Sequence, residues 1–335
     1  MKTFLWTIAI FSTINLNANS LEESQKLCDG GDAKECYGLG NIHLKGEGVK
    51  KDSAKAVTFF EKACTGGYVK GCYNIGVIYL NGVGVKKDSA KAVNSFEKSC
   101  TDGYFKGCYN LGIIYGDGIG IKQDSAKAVS FLEKSCNNHI SKGCLRLGIM
   151  NIRGKKIKKD APKALSLFKK ACDGGEAIGC YDLGRIYLEG EEGVAKDLPS
   201  ASKFLEKSCD TKYATGCYNL GNMYFKGDGV KEDTTHAEEL YNKACSLGHG
   251  MGCYNLGFMY ANGKGVKQHY DKALKLYKKA CDANYAQGCF NLGAMYHKGV
   301  GIDKNATKAK EFFGKACSGK NERGCKALAT LNQKK

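Results

Sequence analysis

Apolar and polar positions along the chain keep one order, and that order returns after a fixed interval. In "GCYNIGVIYLNG", starting at Gly71, Cys72, Ile75, Gly76 and Tyr79 follow the i, i+3, i+4, i+7 spacing of one buried helical face. A glycine-rich break, Gly82-Val83-Gly84, ends that helix, because glycine takes left-handed backbone conformations at low cost. Asp88 then offers an N-cap to "SAKAVNSFEKSC", with Ala92 and Phe96 turned inward. "KACTGGYVKGCYNIGVIYLNGVGVKKDSAKAV", starting at Lys62, returns 36 residues later as "KSCTDGYFKGCYNLGIIYGDGIGIKQDSAKAV". A period of this length marks a solenoid whose units bury a core only against their neighbours.

The predicted fold is therefore all-α: helix hairpins stacked as an α/α superhelix. Eight complete units of 36–37 residues run from Cys36 to Cys317, with a half-unit at Leu21–Cys28 and a C-terminal stub. The single 37-residue unit carries its extra residue in "EGEEGVAKD" at Glu189. Pro162 and Pro199 each stand two residues past a capping aspartate, Asp160 and Asp197, where the first helical turn tolerates proline. Gly40, Gly76, Gly112, Gly148, Gly184, Gly221, Gly257 and Gly293 share one register of every first helix. Each costs about 1 kcal/mol against alanine, so close helix approach is expected there, against the small-residue register of Ala56, Ala92 and their equivalents.

The cysteines change the picture most. They fall at 28/36, 64/72, 100/108, 136/144, 172/180, 209/217, 245/253, 281/289 and 317/325, always eight apart. The first of each pair closes a second helix and its mate opens the next first helix. Pairing inside each C-x7-C uses all eighteen cysteines, whereas joining Cys36 to Cys64 would strand Cys28 and Cys325. Nine local disulfides are expected: Cys28–Cys36, Cys64–Cys72, Cys100–Cys108, Cys136–Cys144, Cys172–Cys180, Cys209–Cys217, Cys245–Cys253, Cys281–Cys289 and Cys317–Cys325. Zinc is not, because the gaps are too long and the six histidines fall at six different places in the repeat. No metal and no cofactor is expected.

The first twenty residues agree with an oxidising destination. Lys2 precedes an apolar run, Phe4 to Leu16, and Ala18-Asn19-Ser20 supplies small residues at a cleavage site, so residues 1–20 read as a secretory signal peptide. The expectation is a secreted or periplasmic protein, monomeric and not membrane-spanning, with residues 21–335 as one solenoid. The net charge of +17 comes mostly from paired lysines such as Lys50-Lys51 and Lys86-Lys87 beside the loops. It implies attraction to acidic envelope or host surfaces; nucleic acid is not expected of an exported chain without a nucleic-acid-binding motif.

With these residues laid out, "YNLGNMYFKGDGVKEDTTHAEELYNKAC" from Tyr218 and its siblings resemble the Sel1-like branch of tetratricopeptide-type repeats. The added C-x7-C resembles the Helicobacter cysteine-rich (Hcp) family, across essentially the whole mature chain. The resemblance implies a disulfide-linked α/α superhelix, host-facing interactions, and binding with weak hydrolysis of penicillin-like β-lactams. The residues themselves supply no catalytic constellation. S-x-x-K occurs at Ser95…Lys98, Ser166…Lys169 and Ser200…Lys203, in three different registers, without S-D-N or K-T-G.

A binding module is the function the residues favour, with weak β-lactamase activity as the alternative. Positions two, five and nine past the second cysteine point away from the core face, as at Asn74, Val77 and Asn81. Asparagine recurs at the first of these as Asn74, Asn110, Asn219, Asn255 and Asn291, replaced by Arg146 and Asp182 in the fourth and fifth units. Such a ladder can donate to and accept from the backbone of an extended peptide, so these five are the candidate ligand residues.

Overall fold

The computed structural model describes residues 18–155 and 157–333. Most of the expected signal segment, residues 1–17, therefore lies outside the described residues. Eighteen helices fill the described chain. The second helices of the hairpins, here B-helices, are α1 (Ala18–Asp29), α3 (Ser53–Thr65), α5 (Ser89–Thr101), α7 (Ser125–Asn137), α9 (Ala161–Asp173), α11 (Leu198–Asp210), α13 (Thr234–Ser246), α15 (Tyr270–Asp282) and α17 (Ala306–Ser318). The first helices, or A-helices, are α2 (Ala33–Lys45), α4 (Val69–Asn81), α6 (Lys106–Asp117), α8 (Ser141–Arg153), α10 (Ala177–Glu189), α12 (Ala214–Lys226), α14 (Gly250–Asn262), α16 (Ala286–Lys298) and α18 (Glu322–Gln333). The chain forms two compact units, Met1–Lys159 and Asp160–Lys335. Within each, every helix packs on its neighbours in sequence.

The capping residues fix where the helices begin. Asp88 Oδ1 accepts from the Lys91 amide at 2.9 Å, and the Asp88 amide donates to the Tyr79 carbonyl at 3.0 Å. One residue thus caps a B-helix and ties its start to the A-helix before it. Asp52, Asp124, Asp197, Asp233, His269 and Asn305 repeat the arrangement. The 37-residue unit absorbs its extra residue in a small turn in which Glu191 and Val194 exchange two backbone bonds, while Asp197 still reaches Tyr187 at 2.9 Å. Pro162 and Pro199 sit in the first turns of α9 and α11.

The nine disulfides join the cysteines within each C-x7-C, with Cα–Cα distances of 4.5–4.9 Å, and no described cysteine is free. The repeated glycine does mark close approach, though its main partner is not the alanine register. A Cβ on Gly76 would lie 2.6 Å from the Phe96 ring, on Gly112 2.5 Å from Leu132, and on Gly293 2.8 Å from Phe313. A large side chain one turn along the B-helix fills the space over the glycine. The alanines Ala56, Ala92 and Ala128 are fully buried beside it.

Candidate functional site

The A-helix face turned away from the B-helices carries four positions in line: two before the second cysteine, then two, five and nine after it. Their angular spread follows from 3.6 residues per turn. In the first unit the middle of this face is closed on α4 and α6. Asn74 and Asn110 are only 5 % and 3 % exposed, and Ile113 on α6 is buried too. The sequence places both asparagines outward; the structure covers them. The Asn74 amide nitrogen has no hydrogen-bond partner there. At the asparagine position of α8, Arg146 instead holds both carboxylate oxygens of Asp117 on α6, each at 2.6 Å.

The second unit is different. Asn219, Asn255 and Asn291 remain half-buried at the surface and are held from behind by tyrosines of the preceding repeat. Asn219 lies beside the Tyr181 hydroxyl, Asn255 beside Tyr241 and Asn291 beside Tyr277. Tyr241 stands in the register that faces the glycine, where Phe60, Phe96 and Leu132 stand in the first unit. Its ring passes beneath Gly221, and its hydroxyl emerges on the A-face to donate to Asn222 Oδ1 at 2.7 Å. The Asn255 amide donates to the same oxygen at 3.2 Å. Burial holds the Tyr241 hydroxyl protonated far above the usual phenol range and pushes Tyr277 up to about 12. On α16, Gln287 donates to Asn291 Oδ1 at 3.3 Å and accepts from Asn321 at 2.9 Å. Phe258 and Met251 flank this amide network, exposed at 38 % and 37 %. Asp182 of α10 lies 3.8 Å from Arg185, which also binds Glu189 at 2.9 Å.

Asn222, Tyr241, Tyr277, Met251 and Phe258 were not among the expected site residues. Tyr241 and Tyr277 could have been found by their register, since tyrosine there replaces a buried phenylalanine or leucine. The column two residues before the second cysteine was also legible. It reads Lys34, Lys70, Lys106, Lys142 in the first unit and Ile178, Thr215, Met251, Gln287, Arg323 in the second.

The serines of the S-x-x-K triplets are engaged locally. Ser95 and Ser166 donate to the carbonyls of Lys91 and Lys163, both at 2.8 Å, and Ser200 donates to its own capping Asp197. Among the described residues no group of three or more acidic, histidine or cysteine side chains is placed to hold a metal, and no helix is long and apolar enough to cross a membrane.

The Sel1 repeat model matches the chain eight times, at residues 36–68, 69–104, 106–139, 141–176, 177–210, 214–249, 250–285 and 286–321. The chain belongs to the Sel1 repeat family. Among solved structures, a protective antigen of uropathogenic Escherichia coli displaying an SLR fold is 26 % identical, over 95 % of this chain and 67 % of that one, with a TM-score of 0.81. A Sel1 repeat protein of Oxalobacter formigenes is 24 % identical over 96 % of both chains, with a TM-score of 0.80, and shares the fold. Helicobacter pylori cysteine rich protein B is 33 % identical over 41 % of this chain and 97 % of its own, with a TM-score of 0.33. A search of curated protein sequences gives no match. The nine disulfides of this Sel1 chain point to an oxidising, non-cytoplasmic compartment.

Proposed function

We propose that this protein is exported, loses residues 1–20, and acts as a binding module for an extended peptide-like segment of an envelope or host partner. The A-face of the second unit is the surface assigned to that partner. The observation that carries the assignment is the half-open amide row Asn219, Asn222, Asn255 and Asn291, ordered by the Tyr241 hydroxyl and Gln287 and bordered by exposed Met251 and Phe258. An amide held by one partner keeps further donor and acceptor capacity, and pre-ordering it lowers the entropy lost on binding. Exposed apolar side chains next to it supply the anchoring area that amides lack. The apolar run Phe4–Leu16 and the local disulfides support export.

The test is selection of displayed random peptides on the oxidised protein, followed by titration of the winners. Replacing Asn255 with alanine, or Phe258 with serine, weakens selected peptides at least tenfold, and Tyr241→Phe weakens them less. Retention of full affinity in both Asn255→Ala and Phe258→Ser refutes the assignment of this face. N-terminal sequencing of the mature protein is expected to start at Leu21.

A further inference from the structure

We infer that Asn305 is the acceptor of an N-linked glycan, read within the segment Asp303-Lys304-Asn305-Ala306-Thr307; the inference rests on the export proposed above. Asn-x-Ser/Thr occurs once in the chain, at Asn305-Ala306-Thr307, and in an exported protein it is the acceptor pattern for a sugar. The sibling repeats show what this segment departs from. Asn305 caps α17 where Asp52, Asp88, Asp124, Asp160, Asp197 and Asp233 cap the earlier B-helices. Aspartate caps a helix as well as asparagine does, so capping alone does not account for the change to an amide. Two residues before the cap, six of the seven siblings carry lysine, Lys231 and Lys267 among them, and this repeat carries Asp303. Two residues after it, the first three siblings carry alanine and this one Thr307. Thr235 matches that threonine, but it follows Asp233, which has no amide nitrogen to give.

The fold accommodates the product. Asn305 is extended, at φ −144° and ψ 100°, and its Oδ1 accepts from the Lys308 amide at 2.9 Å. A sugar attaches to Nδ2, which that bond does not use, so the cap survives the modification. The Asn305 backbone amide keeps its bond to the Tyr296 carbonyl at 2.9 Å. Asp303, Lys304, Ala306 and Thr307 are exposed and Asn305 is half-buried, so a bulky substituent extends into solvent without displacing the core. In the transfer, Nδ2 attacks C1 of the first sugar of an oligosaccharide carried on a polyprenyl pyrophosphate. The N–C1 bond forms, the C1–O bond to phosphate breaks, the amide loses one proton and polyprenyl pyrophosphate leaves. Oxidation states do not change. The Thr307 hydroxyl and the Asp303 carboxylate are the groups that an envelope oligosaccharyltransferase reads.

The experiment expresses the full chain in a bacterial host whose envelope holds an oligosaccharyltransferase and its lipid-linked donor. Intact mass reads the glycan, peptide fragmentation places it, and N-terminal sequencing of the same sample reads export. The mature chain, starting at Leu21, is expected to gain the mass of one glycan, on Asn305. Asn305→Asp, which keeps the cap, and Thr307→Ala are each expected to abolish the gain. Asp303→Lys, which restores the lysine of the siblings, is expected to lower occupancy roughly tenfold. Lys231→Asp/Asp233→Asn, which copies the segment onto the cap of α13, is expected to add a second glycan. An exported chain without the mass gain, or one whose glycan survives Asn305→Asp, overturns the inference. A chain that keeps residues 1–20 refutes export instead; the same chain is then delivered behind an unrelated leader, and the occupancy of Asn305 decides the inference by itself.

Discussion

The same substitution at two helical glycines of the first unit should have opposite signs. In Gly76→Ala, the new Cβ would lie 2.6, 2.7 and 2.9 Å from three carbons of the Phe96 ring. Phe96 is fully buried, so the ring has nowhere to retreat without moving α5. Overpacking of this kind costs about 1–3 kcal/mol, and contacts well inside van der Waals distance place it in the upper half of that range. Alanine returns about 1 kcal/mol of helix propensity, leaving a net loss of about 1–2 kcal/mol. At Gly38, also inside an A-helix, nothing lies within 4 Å of the added methyl. Gly38→Ala should therefore gain about 0.5–1 kcal/mol from propensity alone. Urea unfolding of both variants in the oxidised state, followed by far-ultraviolet circular dichroism, measures the difference. A Gly76→Ala midpoint at or above that of the parent would refute the steric account of the glycine register.

Two further outcomes are expected. Each disulfide closes a nine-residue loop, so Cys100→Ala/Cys108→Ala should lower stability by about 2–3 kcal/mol; Cys317→Ala/Cys325→Ala should mainly speed hydrogen exchange in α18, which packs mainly on α17. An equal global loss from both pairs would contradict a stack stabilised by nearest neighbours. The second concerns pH. Burial lowers the pKa of His43, helped by Lys55 and opposed by Asp52, and burial alone lowers that of His249. Both are protonated more readily unfolded than folded, so their contribution is present above the unfolded value near 6.5 and is lost as pH falls through the folded pKa. Stability should drop between pH 7 and pH 5. His43→Tyr/His249→Tyr, which restores the tyrosine of sibling repeats at both positions, should flatten that drop; an unchanged slope would show that other groups govern it.

The architecture was almost wholly legible because its signals are local. Capping aspartates, first-turn prolines and loop glycines set the helix ends, and counting cysteines was enough to choose their partners. The surface was less legible, because it depends on how closely adjacent repeats approach. Helical spacing puts Asn74 and Asn255 at the same register, but spacing cannot tell that Asn74 is buried whereas Asn255 stays half-exposed. A glycine register suggests a small-residue partner, because small pairs with small in a simple helix crossing. In fact a glycine here makes room for one large ring, and tyrosine in place of phenylalanine at that ring carries a hydroxyl through to the other face. That detail needs the register of two helices at once.

The disulfides have a consequence for inheritance as well as for folding. Every bond joins the last turn of one helix to the first turn of the next, eight residues on, so each period carries one cysteine of each kind. A recombination event that adds or deletes a whole period leaves no cysteine orphaned and no surviving bond rerouted. A chain emerging stepwise into an oxidising space can close each staple before the next arrives, with little opportunity for mispairing. The length of the array is thus free to drift between lineages, while every intermediate length remains a foldable protein.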